Sequence, residues 1–344
     1  MIQDLLVTVF VPIYNGEKYL YQTLLSIKNQ TYTNIEVLLV DDSSTDKSKT
    51  ILDKFADEDD RFKVFTKING GMVSVSWNFI IPEIKGSYVF YSSQDDIFSI
   101  DLIERMVEKQ KETNADTILP DMEFYYEKGQ NNIKIIGLNG NRDAVLSGKQ
   151  ACEESLNWNI HGFTMTKTSL VQEEYFPEDA FDSDEFMTRK LFLKSNKVVF
   201  CEGIFYYRQD NSNAITKTFT TKNFSTLKTQ YRLYSLLKEY NFNKRHILNI
   251  QYSLLSKYLL LSAKFQLYNY ETETERVKTA FLLSNFRKKQ LTNTFYFSNI
   301  GNAILSLKLR YLLLLIIYKV PVFFYFVKKI YVLKKQNQGL MKFL

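Results

Sequence analysis

Two carboxylates stand side by side at Asp95-Asp96, two residues beyond the run SYVFYS (87–92). Adjacent carboxylates suit a hard divalent cation, which takes oxygen ligands and can bridge a diphosphate. The same residues also suit a solvated turn in which Asp96 or Ser99 caps the next helix. Three more polar, turn-prone stretches follow apolar runs in the same way. They are Pro12-Ile-Tyr14-Asn15-Gly16, Asp41-Asp42-Ser43-Ser44-Thr45-Asp46 and Asn69-Gly70-Gly71. No GxGxxG follows the first run and no GxxxxGK[ST] occurs, so the usual glycine cradles for dinucleotides and triphosphates are missing. Phosphate charge would have to be met another way, and Asp95-Asp96 with a cation offers one.

These stretches need a frame that presents them together. Residues 5–11 read as a buried strand ended by Pro12, 35–40 and 62–66 as two more, and 87–92 as a fourth. Helical spacing covers 17–29, a segment capped by Ser44 or Thr45 and running to about Ala56, 73–84, and a segment from Asp101 to about Thr113. This alternation predicts a parallel sheet with helices on both faces. In such sheets ligands bind outside the carboxyl ends of the strands, and all four polar loops fall on that rim. Strands near 116–126 and 132–137 extend the sheet in mixed or antiparallel fashion. A helix spans 183–194, two short strands lie within 198–208, and from about Asn223 the pattern is only helical.

The blocks VTVFVPIYNGEKYLYQTLLSIKNQTYTNIEVLLVDDSSTD, KINGGMVSVSWN and GSYVFYSSQDD, in this order and spacing, resemble glycosyltransferase family 2 across about residues 5–110. A fourth block, FDSDEFMTRKLFLKSNKVVFCEGIFYYRQDNSNAIT (181–216), resembles the family's acceptor-side segment. The resemblance implies an inverting, metal-dependent GT-A enzyme, a Rossmann-like mixed α/β sheet flanked by helices. It implies that Pro12, Tyr14, Asn15, Asp41, Asp42, Asn69, Gly70 and Gln94 bind the donor nucleotide. Tyr14 would stack on the base, worth roughly 1–3 kcal/mol, and Asp41 would accept the imide N–H of uracil. Asp95 and Asp96 would bind Mn2+ or Mg2+. An inverting transfer needs a carboxylate to take the acceptor proton. Asp184 aligns with the Asp of the family's Glu-Asp pair, with Glu185 in reserve, although a helix start attracts acids in any case. Arg208 and Gln209 would reach the diphosphate or an acceptor phosphate, or else belong to a surface hairpin. His161 either faces the acceptor or is a satisfied structural histidine. Ser93 and Ser183 stand where the family often has acids, and Trp77 stands where it often has Arg and reads as core. The implied function is transfer of a sugar from a UDP-sugar to a glycan or lipid-linked acceptor in bacterial surface polysaccharide synthesis. Ser93 and Ser183 leave an alternative open, a catalytically silent relative that binds a sugar nucleotide or serves as a membrane-tethered partner in such a pathway.

Composition frames these expectations. The chain has 344 residues with 45% hydrophobic and 24% charged residues, enough to bury a core and to form more than one domain. We expect a glycosyltransferase domain at 1–216, with a nucleotide half (1–100) and an acceptor half (101–216), and a helical region at 217–344. Two distant cysteines and two histidines exclude a disulfide scaffold, a zinc-thiolate site and a multi-histidine centre. The start has no basic n-region, so a cytoplasmic protein is expected. Eleven of the 44 basic residues lie between Arg287 and Leu344, which has no acid, so the rest of the chain carries 33 bases against 38 acids. These bases interleave with the apolar run 311–327, which suits an anionic membrane face better than nucleic acid. A segment at about 304–335 is therefore expected to lie on the inner membrane face, with a buried helix as the alternative. The sequence leaves the oligomeric state open.

Overall fold

The computed structural model describes residues 5–292 apart from 128, 130–132, 213 and 215–216, together with the isolated residues 295, 325 and 329. The chain divides into two compact units. One comprises Met1–Glu178 and Met187–Lys217, the other Asp179–Phe186 and Thr218–Leu344.

The first unit opens with β1 (Val7–Ile13), α1 (Leu20–Lys28), β2 (Ile35–Asp41), α2 (Ser48–Glu58), β3 (Phe62–Thr66), α3 (Val73–Ile80) and β4 (Tyr88–Tyr91). The first four strands are all parallel, in the order β3-β2-β1-β4. Central strands of a covered parallel sheet are buried on both faces, and β2 is buried at every position. The α1 residues Leu20, Leu24 and Ile27 pack with Val7, Val9, Val11, Val37 and Leu39 in one core. Burying a Leu fully contributes about 1.5–3 kcal/mol, so this layer is a main source of the unit's stability.

Proline does not end β1, which runs on to Ile13. The rungs with β4 stop at Phe10↔Tyr91, so Pro12 pairs only with β2 and is tolerated at this half-free position. Helix α2 starts at Ser48 rather than at Ser44 or Thr45, because those two residues are engaged with the loop after β1, as described below.

The sheet then becomes mixed. Next come β5 (Ile97–Phe98), α4 (Leu102–Thr113), β6 (Thr117–Tyr125), β7 (Lys134–Ile135), β8 (Val145–Leu146), α5 (Gly148–Ser155), β9 (Met165–Lys167), α6 (Thr168–Gln172), α7 (Ser183–Lys194) and β10 (Val198–Arg208). The full order is β3-β2-β1-β4-β9-β6-β10-β5, with β7 on β6 and β8 on β10. Strand β9 is antiparallel to β4 and β6, while β10 runs parallel to β6. Residues 198–208 form one strand rather than two. A register shift between Phe200 and Ile204 kinks it, with Gly203 at φ +84° inside the shift. Trp77 is core, stacked on Phe176 at 4.9 Å.

The second unit contains α8 (Thr226–Glu239), α9 (Lys244–Leu267) and α10 (Glu273–Lys289) around a core that includes Leu227, Tyr234, Leu254, Leu255, Tyr258 and Phe286. It also holds the first turn of α7, so the division between units passes within that helix. Among the described residues no helix is long and apolar enough to cross a membrane. The expected membrane segment at about 304–335 lies outside the described residues.

Candidate active site

Because β1 to β4 are parallel, their four following loops share a rim, and side chains lace them together. Gln94 clamps the backbone of Tyr14. Its Oε1 accepts the Tyr14 N–H at 2.8 Å, and its Nε2 donates to the Tyr14 carbonyl at 3.0 Å. A Cβ on Gly16 would lie 2.5 Å from the same Gln94 oxygen, so any larger residue there would push the Gln94 clamp aside. Asn15 sits at φ +50°, a conformation its short polar side chain tolerates. Its Oδ1 accepts the Thr45 N–H at 2.8 Å, and its own N–H donates to Ser44 Oγ at 3.0 Å. Gln94 and Asn15 thus hold the loops in place. Tyr14 is left as a ring with 48% of its surface exposed on the rim.

Asp41 and Asp42 behave differently from each other. Both are buried. Asp41 Oδ1 accepts the Ser44 N–H at 3.0 Å and turns the loop. Asp42 forms a buried ion pair with Lys67, accepts the Gly70 N–H at 2.8 Å and takes Asn69 Nδ2 on its carbonyl at 2.9 Å. Parallel pairing of Asp41 with Thr66 is what brings Lys67 beside Asp42. Gly70 and Asn69 therefore wrap the third loop around Asp42. Sequence reasoning missed Lys67, because the pair exists only once the β2–β3 register is fixed.

Asp95 and Asp96 do not form a solvent-facing pair. Asp96 is fully buried, while Asp95 is partly so. Asp96 Oδ1 accepts the Arg208 N–H at 2.9 Å, and Oδ2 has no hydrogen-bond partner. Burial first, and the charge of Asp95 second, push the Asp96 carboxyl well above the usual range. Asp95 Oδ2 accepts Asn211 Nδ2 at 2.7 Å. Neither Asp96 nor Ser99 caps α4, whose N-cap position is Asp101.

Arg208 is not free to reach a diphosphate. Its side chain is wholly buried: Nε donates to the Asp95 carbonyl at 2.8 Å and one terminal nitrogen to Gln22 Oε1 at 2.8 Å. The other terminal nitrogen pairs with Asp210 at 3.3 Å, and the guanidinium lies over Tyr19 and Tyr125 at 4.3 and 5.1 Å from the ring centres. Arg208 and Asn211 at the end of β10 therefore fix the aspartate pair from behind. Neighbouring Gln209 is tied through its backbone to Tyr125 at 2.8 Å. His161 is the satisfied structural histidine. Its Nδ1 accepts the Phe163 N–H at 3.2 Å, which leaves Nε2–H to donate to the Pro120 carbonyl at 2.8 Å. Burial lowers its pKa to about 4, so it is neutral at physiological pH.

An orphaned, buried carboxylate oxygen beside a second carboxylate fits a hard cation, since a cation would supply the missing partner. Among the described residues no group of three or more His, Cys, Asp or Glu could hold a metal. The protein would thus offer Asp95 and Asp96, and the remaining ligands would be oxygens from elsewhere.

In the second unit, Asp184 and Glu185 occupy the first turn of α7. Burial first, then the like charges of Glu185 and Asp182, raise the Asp184 carboxyl to about 7. That value suits a proton acceptor working near neutral pH.

A parallel β-α rim with tethered polar loops and a carboxylate pair defines an open α/β protein with a ligand-binding rim at the carboxyl ends of its strands. The model of the family "Glycosyl transferase family 2" matches residues 8–174. Glycosyltransferase GlyG of Streptococcus pneumoniae is 31% identical over 231 residues, covering 62% of this chain and 73% of that protein. GlyA of the same organism is 28% identical over 64% of this chain, but only 33% of its own length is matched. Among solved structures, Staphylococcus aureus TarS 1–349 in complex with UDP-GlcNAc superposes with a TM-score of 0.54. It is 18% identical and covers 84% of this chain and 75% of that one, a likeness of fold. The chain belongs to glycosyltransferase family 2, in the GT-A type of fold, and is a glycosyltransferase of bacterial glycan synthesis.

Proposed function

We propose that the protein transfers a sugar from a UDP-sugar to a hydroxyl of a glycan or lipid-linked acceptor, with inversion and with a divalent cation, in surface polysaccharide synthesis. The observation that carries this reading is the rim itself. An exposed Tyr14 and a buried Asp41 lie on the same set of laced loops as Asp95 and Asp96, and Asp96 Oδ2 has no hydrogen-bond partner. Tyr14 stacks on the base, and Asp41 accepts the imide N–H that distinguishes uracil from cytosine. The UDP-GlcNAc bound by TarS supports the choice of nucleotide. Asp95 and Asp96 would hold Mn2+ or Mg2+, which neutralises charge developing on the leaving diphosphate. Arg208 and Asn211 keep the two carboxylates in place. Asp184 takes the proton of the acceptor hydroxyl, with the neighbouring Glu185 as the alternative base.

The test is release of UDP from UDP-sugars by the full chain with manganese, across a panel of sugars, with and without polysaccharide acceptors. Release with at least one donor supports the reading. Binding of UDP-sugars with no turnover on any donor leaves a sugar-nucleotide-binding relative, the reading that Ser93 and Ser183 keep open. We further propose that residues 304–335 hold the enzyme on the inner membrane face, supported by eleven bases and no acid after residue 286, interleaved with apolar residues.

A further inference from the structure

The base assignment above, on which this inference rests, raises the question of what holds Asp184 and Glu185. The eight residues Asp179–Phe186 belong to the helical unit, although they lie in the chain between two stretches of the sheet unit. Asp179 pairs with Arg232 at 2.6 Å and Lys228 at 3.2 Å, one turn apart on α8. The Phe181 N–H donates to Ser225 Oγ at 2.9 Å, just before α8. Asp182 faces Lys257 on α9 at 3.7 Å. Three consecutive parts of the helical unit thus grip three of the four residues that lead into α7. The charges match, with Asp179, Asp182, Asp184 and Glu185 on the segment against Lys228, Arg232 and Lys257 on the helices.

We propose that this clasp makes the helical unit the mount of the catalytic carboxylates, with Asp179, Arg232 and Lys228 as positioning residues for sugar transfer. Exposed ion pairs contribute little to global stability, and nearly half of the Asp179 side chain is exposed, so the clasp is better suited to orientation than to folding. A base displaced by about 1 Å can lose on the order of 10²-fold in rate. Donor binding, which rests on the loops after β1 to β4, has no part in it.

The experiment compares full-length Asp179→Asn, Asp179→Glu and Asp184→Asn. It reads transfer kcat, donor Kd and amide hydrogen exchange of 180–186. Asp179→Asn should lower kcat about 10-fold or more. Donor Kd should stay within about twofold, since no donor-loop contact changes. Exchange should quicken at 180–186 and not in the sheet, and Asp179→Glu should restore most of the rate. Wild-type kcat in Asp179→Asn beside a dead Asp184→Asn overturns the clasp and leaves the base standing. An active Asp184→Asn beside a slow Asp179→Asn removes the base assignment but keeps the clasp. Equal losses in Asp179→Glu and Asp179→Asn, with sheet amides also exposed, mark a general folding defect and overturn the positioning role.

Discussion

Replacing Asp184 by Asn should kill the reaction and steady the protein at the same time. In the folded chain the Asp184 carboxyl is raised from 3.8 to about 7, by burial and then by Glu185 and Asp182. A group raised in the folded state contributes stability that is fully present below its unfolded value, near 4, and is lost as pH rises through about 7. A shift of this size corresponds to about 4 kcal/mol. Asp184 keeps some contact with solvent, so about half of that, ~2 kcal/mol, is the working figure. Asn carries no charge and escapes the cost. At pH 8 the variant should therefore unfold roughly 4–8 °C above wild type, and at pH 4 the two should unfold together. Transfer should fall roughly 10²–10⁴-fold, because the carboxylate assigned as proton acceptor is gone. In wild type, kcat should rise with pH to a plateau above about 7, and the residual rate of the variant should lack that limb. Scanning calorimetry at pH 4 and 8 and a pH–rate profile check both halves. A variant no more stable at pH 8 than at pH 4, relative to wild type, would refute the argument from burial.

Asp95→Asn and Asp96→Asn should abolish transfer and any thermal shift induced by manganese; full wild-type activity in excess chelator sinks the cation. Tyr14→Ala should weaken UDP binding by about 1–3 kcal/mol in a titration while Tyr14→Phe binds as wild type, since the ring face does the stacking. His161, lowered to about 4, contributes stability that is present above about 6.5 and fades as pH falls towards 4. In His161→Gln that acid-side slope should flatten in thermal unfolding, with kcat at pH 8 little changed. A chain cut before Asn302 should leave the membrane fraction while the full chain stays with it; equal solubility without detergent ends the membrane proposal.

The parallel half of the sheet was legible because β1, β2 and β3 are short β-branched or aromatic runs bounded by turn residues. The shared rim followed from that alone. What escaped the sequence depended on register and on short elements. Strand β9, three residues long, carries no periodicity, yet it joins β4 to β6 and turns the sheet from parallel to mixed. Arg208 read as a surface or ligand-facing group because its sequence neighbours are polar. Only the β10–β5 pairing, which sets Tyr206 beside Ile97, brings it behind Asp95-Asp96. Ser44 and Thr45 looked like helix caps, but their donors and acceptors serve Asn15 across the rim. In the site the carboxylates were found by type, while their supports were found only by geometry.

Strand β10 comes late in the chain and yet lies inside the sheet, between β6 and β5. Until Arg208 has left the ribosome, β6 has no partner along that side, and seven of its nine residues are of the kind that the finished protein buries. A nascent or truncated chain ending before residue 198 therefore presents a long unpaired strand edge able to pair with another chain. The loops after β1 to β4 could already be folded at that stage, but Asp95-Asp96 would lack both Arg208 and Asn211. Competence for the reaction and protection from aggregation should thus arrive nearly together, with β10 and the three residues that follow it.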